Sequence, residues 1–157
     1  MGYTSQILEV NRARLGLISR ANAGANNYPD LEQEILLALW NSLDGYQGRS
    51  NYRTWFYAVA SNTVSNYLRR QRRRIRETAM MGAKEPVTYH YDQNRDPMAI
   101  LEEFTQSLSE TDRMVLLMYM GKAPNGEIAA AIGIDEGSLR VKLSRIKKQF
   151  ESRYVGS

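Results

Sequence analysis

The sequence predicts an all-α protein of two small helical domains joined by a flexible linker, and three observations carry that prediction. Apolar residues recur at helical spacing along most of the 157-residue chain, with polar residues between them. Residues 125–150 have the pattern of two helices joined by a tight turn. Between the two apolar-rich parts the composition flips: over residues 77–103 the acids Glu77, Glu85, Asp92, Asp96, Glu102 and Glu103 stand against only Lys84 and Arg95. Gly82, Pro86 and Pro97 break any long period there. The predicted domains are residues 1–76 and 97–157, with residues 77–96 as an acidic linker.

Residues 3–21 are expected to be helical, with Ile7, Leu8, Leu15 and Ile18 on one face. Residues 23–29, AGANNYP, read as a loop rich in glycine, asparagine and proline. Asp30 is then expected to cap a helix over residues 30–43, with Gln33 at capping-box spacing. Its buried face would be Ile35, Leu36, Leu39, Trp40 and Leu43, leaving Asp30, Gln33, Glu34 and Asn41 toward solvent. A second loop, residues 44–50, precedes a long helix over residues 52–76. The apolar stripe of that helix is Trp55, Phe56, Val59, Ala60, Thr63, Tyr67 and Leu68; Arg53, Tyr57, Asn62, Asn66 and Arg70 lie off it. The helix ends with Arg69, Arg70, Arg72, Arg73, Arg74 and Arg76 in two turns. Like charges three and four residues apart repel on an isolated helix, so this cluster points to a polyanion; a solvated helix end is the plain alternative. His90 lies in the linker and is read as a surface residue.

The second domain opens with a short helix over residues 97–107 using Ile100, Leu101 and Phe104. Ser109 caps the next helix, Val115, Leu116, Met118 and Tyr119 fill its core, and Gly121 ends it. In the two-helix motif Ile128, Ala129 and Ile132 line the first helix, Gly133 makes the turn and Ile134 plugs it. Asp135 caps the second helix, whose buried stripe is Leu139, Leu143, Ile146 and Phe150. The opposite face carries Gly137, Val141, Ser144 and Lys148, flanked by Ser138, Arg140 and Arg145. It is small at its start, where backbone must approach a partner, and basic toward its end, where phosphates would lie. That is the logic of a recognition helix in a DNA major groove, although a plain helical hairpin shares the pattern.

Composition narrows the function classes. The formal charge is +4, with 21 Lys and Arg against 17 Asp and Glu. There is no cysteine and a single histidine, so disulfides, thiolate metal sites, a cysteine nucleophile and a histidine-rich metal centre are not expected, and no cofactor is implied. No apolar run is long enough to span a membrane and no signal-peptide core stands near the start, so the simple expectation is a cytoplasmic protein without membrane insertion. No convergent acid–base set suggests an enzyme.

The stretch DLEQEILLALWNSLDGYQGRSNYRTWFYAVASNTVSNYLRRQRRR resembles region 2 of bacterial RNA polymerase sigma factors of the extracytoplasmic-function group. The stretch LSETDRMVLLMYMGKAPNGEIAAAIGIDEGSLRVKLSRIKKQF resembles their region 4. The resemblance implies a promoter-specificity subunit without catalytic activity. It would bind core RNA polymerase at the clamp helices of the largest subunit and at the flap, and direct it to −35 and −10 promoter DNA. Asp30, Leu31, Gln33, Glu34 and Leu37 match the family's clamp-docking helix. The loop at residues 46–51, with Tyr46, Arg49, Ser50 and Asn51, matches the family's pocket for a flipped −10 base. Arg53, Tyr57, Asn62 and Asn66 stand beside it, and Arg69, Arg70 and Arg73 would hold phosphates. Glu136, Gly137, Ser138, Arg140, Val141, Ser144, Arg145 and Lys148 match the −35 reading helix, Val141 offering a contact to a thymine methyl. An anti-sigma factor is an optional further partner in the family. The departures are a loose match before Asp30, an apolar Val141 on the reading face, and Pro-Asn-Gly at the start of the motif. A stand-alone helix-turn-helix regulator is the alternative of a different class; it would have no use for the Asp30–Glu34 face. An RNA-binding adaptor built on the arginine cluster would keep its binding without Arg140 and Arg145.

Overall fold

A computed structural model describes residue 9 and residues 11–46, 51–79 and 96–155. The described residues form six α-helices: α1 (Arg12–Ser42), α2 (Tyr52–Ala79), α3 (Pro97–Ser107), α4 (Glu110–Met120), α5 (Asn125–Ile132) and α6 (Glu136–Phe150). A 3₁₀ turn (Leu43–Gly45) follows α1 and a π-type turn (Glu151–Val155) follows α6. No strand occurs among the described residues, so the expected all-α class holds.

α1 corrects the expected loop at residues 23–29. The chain stays helical on both sides of a single kink at Gly24, where φ is +82° and ψ 171°. Glycine alone takes this geometry without penalty, and one such residue is enough to redirect the helix. Pro29 then sits inside α1, close after the break, where its missing N–H removes one bond of the ladder. Asp30 is therefore an interior helical residue and not the expected cap.

α1 and α2 pack along each other. Ile18, Leu31, Ile35 and Leu39 of α1 and Phe56, Ala60, Val64 and Tyr67 of α2 are buried between them or beneath the other half. Burying such a side chain fully is worth about 1.5–3 kcal/mol each. The expected stripe on α2 was too narrow. Phe56, Ala60 and Tyr67 are buried as expected and Trp55, Val59 and Leu68 partly so, but Val64 and Tyr57 are buried too, because α2 is covered on a second side by the C-terminal half. Trp40 is the opposite correction: it is 63% exposed and takes no part in the core.

The C-terminal half follows its local signals closely. The Asp96 carboxylate accepts from the Met98 N–H with Pro97 in the first turn of α3, and Ser109 Oγ accepts from the Asp112 N–H at the start of α4. Gly133 ends α5 at φ +84°, and the N–H groups of Gly133 and Ile134 both return to the Ala129 carbonyl. Asp135 caps α6 by accepting from the Ser138 N–H at 2.8 Å. Leu139, Leu143 and Ile146 are buried as expected, and Phe150 packs against Phe104 and Tyr154 at ring separations of 5.2 and 5.1 Å. Tyr119 is a correction: it is exposed with Lys147 over its ring, while Met114 and Leu117 fill the core beside Val115 and Met118.

The two halves share one continuous apolar core. α5 packs on α2, and α3 and α4 on α1. Arg113 ties this junction. Its guanidinium donates to the carbonyls of Thr105, Gln106 and Leu108 at the end of α3, and to Asn22 Oδ1 of α1 at 2.8 Å. Burial presses its pKa below the usual guanidinium value, with Glu110 opposing that shift; four bonds keep the cation satisfied. Gly121 lies close under the Tyr57 hydroxyl on the α4 side of the junction: a Cβ there would sit 3.0 Å from that oxygen, so a larger residue would press the tyrosine aside.

Candidate nucleic-acid interface

Three surfaces carry the residues that the sequence singles out. The first is the outer face of α6. Arg140, Val141, Ser144, Arg145 and Lys148 are all exposed, as are Glu136 and Ser138 at the helix start, with Gly137 half-buried between them. Val141 is 51% exposed, an apolar side chain held in water on an otherwise polar face. The buried stripe and the Asp135 cap fix the helix so that this face points outward. A rigid helix with small residues at its start and cations toward its end fits the dimensions and charge of a major groove.

The second surface runs along α2. Asn62, Asn66, Arg69 and Arg73 fall on one exposed face of the helix. At its N-terminal end the rings of Tyr46 and Trp55 lie 5.1 Å apart at 35°, half-buried. The face thus carries an aromatic pair, then amides, then guanidinium groups. Unstacked bases can stack on the first, hydrogen-bond to the second and leave their phosphates at the third. Arg70 stands to the side and pairs with Glu34.

Two residues expected on this surface lie elsewhere. Tyr57 is 2% exposed; it sits on the side of α2 that the C-terminal half covers, and burial raises its pKa, with Arg14 and Arg53 opposing. Arg53 shares that side and pairs with Glu127 of α5 at 3.3 Å. Asn51 donates to the same Glu127 oxygen at 2.8 Å. Arg49 and Ser50 lie outside the described residues, as do Ile7, Leu8 and His90.

The third surface is a groove of about 900 Å³ between α1 and α2. Asp30, Gln33, Glu34 and Leu37 line it from α1, and Tyr67, Arg70 and Arg74 from α2. Leu37 is 61% exposed. Leu31 is fully buried on the opposite side of α1, so its side chain belongs to the core and not to this surface. Sequence reasoning missed Trp40, which also lines the groove. The signal was available: Asp30, Gln33, Leu37 and Trp40 follow one another at three- and four-residue steps, a single helix face. A large indole beside an exposed leucine, rimmed by carboxylates, is apolar surface that the packing of α1 and α2 leaves uncovered.

Comparison with protein families then decides what kind of chain this is. The family model for sigma-70 region 2 matches residues 9–74, and that for sigma-70 region 4 matches residues 98–150. The chain belongs to the extracytoplasmic-function group of RNA polymerase sigma factors. Region 2 corresponds to α1 and α2, with their groove and amide face; region 4 corresponds to α3–α6, with the exposed face of α6.

Named relatives agree. An ECF RNA polymerase sigma factor SigG of Mycobacterium tuberculosis is 27% identical over 85% of this chain, and the chain spans less than half of that relative, 43% of its length. The ECF RNA polymerase sigma-E factor of Escherichia coli is 27% identical over 82% of this chain and 74% of its own. Among solved structures, the fold matches the sigma factor RpoE in complex with the anti-sigma factor NepR from Bartonella quintana, with a TM-score of 0.74, 19% identity, and coverage of 97% of this chain and 96% of that one. It also matches CnrH in complex with the cytosolic domain of CnrY, with a TM-score of 0.68, 16% identity, and coverage of 95% and 85%. Among the described residues no helix is long and apolar enough to cross a membrane.

Proposed function

We propose that this protein is a promoter-specificity subunit that binds core RNA polymerase and directs it to promoters with −35 and −10 elements. The observation that carries this reading is the presence of both regions, in order, on one chain, each with its exposed face. In this reading Asp30, Gln33, Glu34, Leu37 and Trp40 dock on the polymerase clamp. Tyr46 and Trp55 with Asn62 and Asn66 take the opened −10 strand, and Arg69 and Arg73 hold its phosphates, while Arg70 stays paired with Glu34 at the groove. The exposed face of α6 reads the −35 duplex. The protein performs no catalysis itself; it supplies sequence selectivity and helps strand opening by capturing unstacked bases. Two solved structures of similar fold hold anti-sigma factors, which supports an anti-sigma factor as a partner here as well.

Co-purification with bacterial core RNA polymerase tests the reading, comparing the wild type with an Asp30→Arg/Glu34→Arg variant. Stoichiometric binding that the variant loses is the expected result. No binding to core, with tight binding of duplex DNA by the protein alone, would replace this reading with a stand-alone regulator.

A further inference from the structure

The polar groups at the start of α6 are occupied from within. Asp135 Oδ1 accepts from the Ser138 N–H at 2.8 Å, and Ser138 Oγ donates to Asp135 Oδ2 at 2.9 Å. A Cβ on Gly137 would lie 3.1 Å from Asp135 Oδ1, so a side chain there would press on the cap. Glu136 turns back to α5: a Cβ on Gly126 would lie 3.0 Å from its Oε1. Its carboxylate thus rests on the first turn of α5, the positive end of that helix. Pro124, the N-cap of α5, supplies no side-chain acceptor, so the Pro-Asn-Gly start of the motif leaves room for a carboxylate from α6. Lys142 pairs with Asp112 of α4 at 3.0 Å. The side chains left exposed along the rest of the face are Arg140, Val141, Ser144, Arg145 and Lys148. Of these five, Val141 alone is apolar. Gly137 and Ser138 one turn before it and Ser144 one turn after it are small, so its isopropyl group stands clear of them.

We propose that Val141 sets the base preference at the centre of the −35 site by packing on a thymine methyl, and that Glu136 and Ser138 read no base. The inference deepens the promoter-binding reading above and rests on it. Cations on the face can be satisfied by phosphates of any sequence. The Ser144 hydroxyl both donates and accepts, so it suits more than one base edge. An isopropyl group has no such freedom. Against a thymine it covers the C5 methyl, and both apolar groups leave water. Against adenine N6, cytosine N4 or guanine O6 it strips water from a polar atom and offers no bond in return. Selectivity at that base pair therefore comes from a gain with one base and a loss with the others. The two carboxylates matter for the same reason. A side-chain carboxylate in the groove would accept from cytosine N4, and both Asp135 and Glu136 are turned to partners inside the protein.

Holoenzyme reconstituted from the full chain and bacterial core polymerase is used to select duplexes randomised across the −35 region. Selected sites are expected to hold a thymine, on either strand, at one central position. Deoxyuridine at that position lacks only the methyl and is expected to weaken wild-type binding about fourfold, the scale of one buried methyl group. Cytosine methylated at C5 is expected to bind better there than plain cytosine. Both methyl effects should vanish in Val141→Ala. That variant is expected to fold, because the position is exposed and alanine is the better helix former; thermal unfolding checks this. Glu136→Ala is expected to leave the selected sequences unchanged. A deoxyuridine penalty of the same size in Val141→Ala, or no methyl dependence at any position of a selected site, overturns the role of Val141. A shift in base preference confined to one base pair in Glu136→Ala overturns the exclusion of that carboxylate. Failure of the sigma reading looks different: the wild type then binds no core polymerase and the selection enriches no sequence.

Discussion

The two candidate DNA-reading faces differ in how they are built. The face on α6 is a local device: one capped helix, one glycine turn before it and one buried stripe beneath it, all within residues 125–150. The face on α2 is assembled. Its aromatic end needs the turn after α1, Arg70 beside it pairs with Glu34 of α1, and Asn51 and Arg53 at the start of α2 are engaged by α5. Duplex DNA presents a regular groove that a rigid helix can meet. An opened strand must be gripped at base and backbone together, and a single helix does not supply both. The local site should therefore fail as a unit when its helix fails, whereas the assembled site should be divisible by mutation.

The largest expected effect follows from the first half of that contrast. Leu139 is fully buried under α6. Leu139→Ala should cost about 2–5 kcal/mol of stability, the usual range for emptying such a site. Thermal unfolding measures the loss, and duplex binding at a −35 site should fall with it. Polymerase binding through the α1–α2 groove should survive below the new melting temperature. Loss of both activities in parallel at low temperature would contradict the locality of the α6 site.

The next effect divides the N-terminal half. Trp40 is mostly exposed and its removal leaves no buried cavity, so Trp40→Ala should leave the melting temperature nearly unchanged. An exposed tryptophan at the centre of an interface is typically worth at least about 2 kcal/mol, so affinity for core polymerase should fall about thirtyfold. Binding of single-stranded DNA by the free protein should not change. A titration of labelled core against wild type and variant separates these outcomes.

Trp40 also shows where the sequence stops being legible. Its spacing from Ile35, Leu36 and Leu39 is compatible with a buried face, and its spacing from Asp30, Gln33 and Leu37 is compatible with an exposed one. Only the packing of α2 against α1 decides between them. Tyr57 and Arg53 err in the other direction for the same reason. Off the first stripe of α2, they lie under a second covering element whose arrival no local pattern announces. The loop expected at residues 23–29 was overestimated because Gly24 alone makes the bend. By contrast the caps at Ser109 and Asp135, the turn at Gly133 and the stripe of α6 are satisfied by neighbours within a few residues, and all were readable. Local chemistry was legible; which of two plausible faces a neighbour covers was not.

A smaller effect sharpens the duplex side. Arg145 is exposed on α6. If it holds a phosphate, Arg145→Ala should weaken binding several-fold across sequences and flatten the salt dependence by about one unit of slope. If it reads a base edge, the loss should concentrate on one base pair of the −35 element, at about 1–3 kcal/mol of discrimination. Binding isotherms at several salt concentrations, with single-base variants of the site, distinguish the two.

The smallest effect concerns the cap that orients this same helix. The Asp135 carboxylate accepts from the N–H and hydroxyl of Ser138, and these bonds hold its pKa below the usual carboxylate value. A carboxyl with a depressed folded-state pKa adds stability that is fully present above its unfolded pKa and is lost as pH falls through the folded one. At neutral pH the charged cap also faces the positive end of α6, which an asparagine cap does not exploit. The wild type should therefore melt slightly above Asp135→Asn at pH 7, and the gap should close as the pH is lowered into the acid range. If the gap stayed constant with pH, the advantage would come from cap geometry alone. The fully exposed charge would then contribute nothing to holding the reading helix in place.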